Sequence, residues 1–171
     1  MTLTIRPERP GDADPIHDLT VRAFAPMSFS SGTEAQIIRA LREAGDLALS
    51  LVAEVEGVVA GHVAFSRVTV AGDHAGWFGL GPVAVEPDKQ RQGIGRALIA
   101  KGLEILKQDG AAGCAVIGDP AVYGRMGFQS DGALTYAGLD AKFVQRVVFR
   151  GISPRGALEF APAFEIDTHA H

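Results

Sequence analysis

This sequence carries one cysteine, Cys114, so no disulfide can form within the chain, and that usage fits a reducing compartment. It lacks an excess of positive charge. Lys and Arg number 16 against 20 Asp and Glu, a net charge of −4, which argues against the basic face of a general nucleic-acid binder. It also lacks any apolar run long enough to span a bilayer. The opening "MTLTIRPERPGD" has none of the basic-then-apolar layout of a secretory leader. These absences predict a soluble, cytoplasmic protein with neither a membrane nor a nucleic acid as partner. Two nucleotide signatures are missing as well. No G-x-x-x-x-G-K-[ST] string occurs, and the G-x-G-x-x-G pattern fails at Leu98. The "THAH" at the end reads as a short solvated tail with no metal-ligand partners, so no metal is expected.

What is present is a hydrophobic share of 47% in 171 residues, enough for one well-packed domain. We read residues 1–165 as a single domain and 166–171 as a tail. Strands are predicted in "LTIRP", "LALSLVAEV", "VVAGHVAFSRVTV" and "WFGLGPVAVEP", with Glu56-Gly57 as a hairpin turn. Helices are predicted over "GDADPIHDLTVRAF", with Asp12 or Asp14 as N-cap, and over "TEAQIIRALREAG", with Thr33 and Gln36 at capping-box spacing. A third helix, "GIGRALIAKGLEILKQDG", precedes the compact apolar strand "AGCAVIGD"; "PAVYGRMG" is a short helical turn. "KFVQRVVFRG" and "GALEF" supply late strands. The order is mixed α/β (α+β) rather than regular βαβ alternation.

The informative stretch is "QRQGIGRALI", Gln90 to Ile99. Two glycines sit where a strand gives way to a helix, a position that costs helix stability. A helix start offers unpaired N–H groups and partial positive charge, and bare glycine backbone lets a large anion approach. Arg91 and Arg96 add basic side chains. A tight turn without a ligand explains a lone glycine pair equally well. Upstream, Pro82 in "GPVAVEP" cannot donate a ladder hydrogen bond, so it marks a bulge, an edge or a break in pairing. A break would leave backbone groups free beside the glycine turn. A pyrophosphate joined to an amide-bearing arm, as in coenzyme A, would fit both features.

"QRQGIGRA" resembles the Q/R-x-x-G-x-G/A signature of the GNAT superfamily of N-acetyltransferases, with Gln90, Gly93 and Gly95 in its defined positions. "LGPVAVEPDKQ" and "GDPAVYGRMGF" are similar to that family too, most closely to its bacterial subgroup of acyltransferases without an assigned substrate. The similarity runs from about Leu49 to Phe128. It implies a mixed, mostly antiparallel sheet flanked by helices and splayed between the strands holding Val83–Val85 and Cys114–Ile117. It implies that Val83, Ala84 and Val85 hold the pantetheine arm of acetyl-CoA, chiefly through the backbone of the two valines. The amides of Arg91, Gln92, Gly93, Ile94, Gly95 and Arg96 would then cradle the pyrophosphate. It further implies that Tyr123 protonates the departing thiolate. Arg125 stands where that family pattern has lysine, and Gly127 and Phe128 match the rest.

Other residues have two readings each. Glu34 is a candidate for contact with the acceptor, or a helix-dipole partner on a solvated first turn. Asp119 before Pro120 reads as an N-cap ahead of a catalytic base. His62 on a strand is a candidate base or hydrogen-bonded scaffolding; His74 falls in a loop and His17 on a helix. Phe24, Phe29 and Phe65 either line an acceptor groove or pack the core. Cys114 is core.

The resemblance implies direct transfer of an acetyl or short acyl group from acyl-CoA to a primary amine, small-molecule or peptide, in a ternary complex. The alternative is a non-catalytic acyl-CoA sensor that keeps the turn and the splay without turnover. A homodimer, common in the family, is compatible with the sequence, which specifies no interface.

Overall fold

The computed structural model describes residues 2–27, 30 and 32–165. In chain order the main elements are β1 (Leu3–Pro7), α1 (Ala13–Phe24), α2 (Glu34–Ala44), β2 (Leu47–Val55), β3 (Val58–Arg67), β4 (Thr69–Val70) and β5 (Trp77–Val85). Then come α3 (Ile94–Gln108), β6 (Gly113–Ile117), α4 (Pro120–Tyr123), β7 (Leu134–Thr135), β8 (Val144–Val148) and β9 (Gly156–Glu159). Six strands form the main sheet in the order β1-β2-β3-β5-β6-β8, and β4-β9-β7 form a second, smaller one. In the main sheet every pairing is antiparallel except β5 with β6. The mixed, mostly antiparallel sheet with flanking helices is the architecture expected.

Side-chain alternation along β3 assigns the two faces. Val63 and Phe65 pack with Ile94 and Leu98 of α3, whereas Ala64 packs with Ile16 of α1 and Ile38 of α2. The stripe Ile94, Leu98, Ile99, Gly102 and Leu106 recurs at helical spacing and is buried against the sheet. Gly102 is small for a packing reason: a Cβ there would stand 2.2 Å from Cε2 of Phe65, itself fully buried. The β2–β3 hairpin turns through Glu56 and Gly57, both at positive φ, which is the backbone a two-residue hairpin with the right twist requires.

Several local expectations are corrected. The strand expected through Val70 ends at Arg67, and Thr69–Val70 leaves to pair with β9 in the smaller sheet. Asp12 takes the N-cap position of α1 but makes no capping bond; its carboxylate instead accepts from the Arg6 guanidinium at 2.6 and 3.0 Å and from the Arg9 amide. That charge-assisted fork outcompetes a single capping bond, and the Arg6 partner holds the Asp12 carboxyl below its usual range. Thr33 takes the N-cap position of α2, but its ψ of 1° is far from the extended value that aims a hydroxyl at the first turn, and no capping bond forms. The residues 166–171 read as a tail lie outside the described residues.

Candidate functional site

The site begins with one extra residue in β5. Val63 of β3 faces Val83, yet Phe65 faces Leu80, so Gly81 and Pro82 together oppose Ala64. This is the bulge that Pro82 signalled, and the Gly81–Pro82 peptide is cis. Opposed residues in an antiparallel pair alternate between exchanging hydrogen bonds and exchanging none. The Glu86 amide donates to the Ala60 carbonyl at 2.8 Å, which puts His62 opposite Ala84 in the next bonded pair. Val83 and Val85 therefore turn their N–H and C=O groups away from β3. Ala84 spends its backbone on β3, and its side chain is buried with Leu19 and Ala23 of α1.

The strand on the other side has left. β6 pairs with β5 only at Trp77–Gly79, against Gly113–Ala115. Val116 and Ile117 continue along β6 paired with β8 alone, so a gap opens beside Val83 and Val85. The Val85 carbonyl is met from below by Gln90, whose side-chain amide donates to it at 3.1 Å.

The turn into α3 follows at once. Arg91 and Gly93 both take positive φ, 65° and 86°, and Gly93 is the N-cap of the 15-residue helix. Left-handed residues alternating with extended or helical ones bend the chain so that successive N–H groups point into one concavity. The helix start adds its partial positive charge there. Val83, Val85, Arg91, Gly93, Gly95 and Arg96 line a cavity of about 320 Å³ at this point. Gly93 needs glycine for its φ. Gly95 does not: its φ is ordinary, and a Cβ would meet Val85 at 3.5 Å and Val83 at 3.9 Å, normal contacts. Arg96 donates to the Arg125 carbonyl at 3.2 Å, linking α3 to the chain beyond α4 across the gap.

A second cavity of about 440 Å³ adjoins the first, sharing Val83 and Met27 with it. Leu80, Pro82, Val116 and Tyr123 line its splayed side. Tyr123 sits on the last turn of α4, which Asp119 caps by accepting the Ala121 amide at 2.9 Å, as its place before Pro120 predicts. The tyrosine ring is fixed by Phe128 in an edge contact at 5.9 Å and by Gly118, where a Cβ would stand 2.4 Å from the ring. Burial pushes the phenol pKa upward, so it stays protonated across the neutral range.

The other candidates separate clearly. Glu34 lines this cavity at the head of α2, and Ser30 Oγ lies 2.7 and 2.8 Å from its two carboxylate oxygens. Phe24 lines it too, whereas Phe65 is core; Phe29 lies outside the described residues. His62 is fully buried under α1 and α2, away from both cavities. Its Nε2 lies 2.8 Å from Ser50 Oγ, which is 2.8 Å from Glu8, itself paired with Arg42. Burial lowers its pKa to about 4, so it is neutral scaffolding at pH 7. His74 anchors to the Val68 carbonyl at 3.0 Å, and His17 lies on α1. Cys114 is buried, and burial pushes its thiol pKa upward, away from reactivity. Sequence reasoning did not find Tyr136, Phe160 and Phe164, which close the far wall of the cavity. Tyr136 and Phe160 directly follow strands of the smaller sheet, and Phe164 lies in the turn Pro162–Glu165 packed against α2.

The chain matches the Acetyltransferase (GNAT) family over residues 14–128. It belongs to the GNAT family of acetyltransferases. Among the relatives of this GNAT chain is the "Uncharacterized N-acetyltransferase YhbS" of Escherichia coli K12, 44% identical over 128 residues, covering 74% of each chain. Among solved structures, a GNAT family acetyltransferase from Brucella melitensis in complex with acetyl-CoA matches with TM-score 0.86 and 42% identity, over 95% of this chain and 98% of that one. YhbS from Escherichia coli in complex with CoA matches with TM-score 0.87 and 35% identity, over 95% and 92%. Among the described residues, no group of three His, Cys, Asp or Glu is placed to hold a metal, and no helix is long and apolar enough to cross a membrane.

Proposed function

We propose that this GNAT protein moves an acetyl or other short acyl group from acyl-CoA to a primary amine by direct attack in a ternary complex. One observation carries the reading. Val83 and Val85 turn backbone groups that no neighbouring strand pairs into a gap in the sheet, the Val85 carbonyl being met only by the Gln90 side chain, directly before a nest of amides at the head of α3. An amide-bearing arm fits the gap as a substitute strand, and a pyrophosphate fits the nest made by Arg91 to Arg96. The relatives bound to acetyl-CoA and CoA support the same ligand here.

In this reading the chain works mostly by placement. Backbone groups at the bulge hold the thioester carbonyl at the junction of the two cavities. The amine nitrogen forms the new C–N bond from the second cavity as the C–S bond breaks. Tyr123 gives its proton to the departing thiolate, and its raised pKa keeps that proton available. The amine must lose a proton before or during attack; among the described residues no histidine lines the cavity, and in this reading water reached through its mouth takes that proton.

Calorimetric titration with acetyl-CoA, with NADH and ATP as controls, tests the donor. An absent isotherm at millimolar acetyl-CoA overturns the reading. A screen of amines for thiol release then tests transfer. Binding without release for any amine would leave the non-catalytic sensor instead.

A further inference from the structure

The wall of the larger cavity that faces away from the strand break has a distinctive chemistry. Tyr136 meets Phe160 edge-on with centroids 5.4 Å apart, and Phe160 meets Phe164 at 5.0 Å. Phe24, Ile37 and Met27 complete that side. Among the described residues lining the cavity, Glu34 alone is charged. Its carboxylate is held in place. Ser30 Oγ accepts the Gly32 amide at 3.0 Å, which directs the hydroxyl hydrogen onto the Glu34 carboxylate.

We propose that the acceptor is a primary amine on an apolar aryl or alkyl body with no second charged group, its ammonium anchored by Glu34. This rests on the acyl-transfer reading above. One fixed carboxylate in an aromatic setting matches one cation: the carboxylate attracts it, and the rings bury the attached hydrocarbon. A second charge on the acceptor would enter the same apolar wall without a counter-charge, which is costly. An amino acid would bring its carboxylate there, and a diamine its second ammonium.

Matched pairs of ligands test this on the intact protein loaded with CoA. Calorimetry compares 2-phenylethylamine with phenylalanine, which adds a carboxylate, and hexylamine with 1,6-diaminohexane, which adds an ammonium. The simple amine of each pair is expected to bind at least about ten-fold tighter. Glu34→Gln, which keeps the side-chain shape, is expected to erase binding of both simple amines by a similar factor while leaving the CoA isotherm unchanged. Equal or tighter binding of the doubly charged partners overturns the inference, as does unaltered amine binding in Glu34→Gln. Each of these outcomes leaves the CoA isotherm in place. A missing CoA isotherm is a different result, and it takes down the acyl-transfer reading and this inference together.

Discussion

Gly95 offers the sharpest separation between what the fold needs and what a ligand needs. In the protein alone, Gly95→Ala should be welcome. The residue has ordinary helical φ, and the new methyl would touch Val85 at 3.5 Å and Val83 at 3.9 Å without displacing either. Removing a glycine from a helix is worth about 0.5–1 kcal/mol. For a domain of this size that is a rise of roughly 2 °C in Tm. The same methyl projects into the cavity beside the amide nest, where the coenzyme pyrophosphate is proposed to lie against bare backbone. Losing that close approach should weaken acetyl-CoA binding at least ten-fold, about 1.4 kcal/mol. Thermal denaturation and calorimetry on one preparation read both signs. A variant that is more stable and binds acetyl-CoA as well as the parent would refute the idea that Gly95 is clearance for a ligand.

On the same helix, Gly102→Ala should do the reverse: its methyl meets the Phe65 ring at 2.2 Å, and overpacking of this kind costs about 1–3 kcal/mol, read as a lower urea midpoint. Tyr123→Phe should lower kcat by roughly 10²-fold with acetyl-CoA affinity nearly unchanged, and the parent should show no loss of activity from phenol ionisation below about pH 10. Parent-like turnover in that variant across pH would remove Tyr123 from the mechanism. His62 should make stability depend on pH. Its pKa is lowered to about 4 in the folded state, so between pH 6.5 and 4 the unfolded chain binds the extra proton and stability falls as pH falls. The loss reaches about 2–3 kcal/mol by pH 4.5. Urea unfolding of His62→Gln should lack that slope, and an unchanged slope would mean that another group is responsible.

Much of this was legible before any coordinates. Periodicity gave β1, β2 and α3 almost to the residue, because each has one clear apolar face. Pro82 announced a bulge, an edge or a break in pairing, since a residue without an N–H cannot sit in a regular central pairing. The glycines announced a turn and an exposed helix start. Asp12 and Thr33 take the N-cap positions expected of them, but neither side chain makes the capping bond, for a shared reason. Spacing shows that a side chain could reach a helix start, but not whether a distant arginine or a local ψ has redirected it. The far wall of the larger cavity was invisible because Tyr136, Phe160 and Phe164 are distant in sequence from β5. Nothing local in those stretches says that a three-stranded side sheet will fold them over the gap. Glu34 was visible as a residue but not as the single charge among the described residues that line the cavity, since that depends on everything around it.

The short seam between β5 and β6 has a consequence for how the molecule holds together. Three facing residues on each strand, at the Trp77 end, carry the sheet from its first four strands to its last two. Past that seam the sheet is a zip left open, with the amides of Val83 and Val85 as its unengaged teeth. Hydrogen exchange should therefore show those two amides as fast positions inside an otherwise slow strand. A ligand arm lying in the opening would slow them and would also tie the two halves along their whole length. Occupancy of the site and rigidity of the sheet are, in this architecture, one quantity seen from two sides.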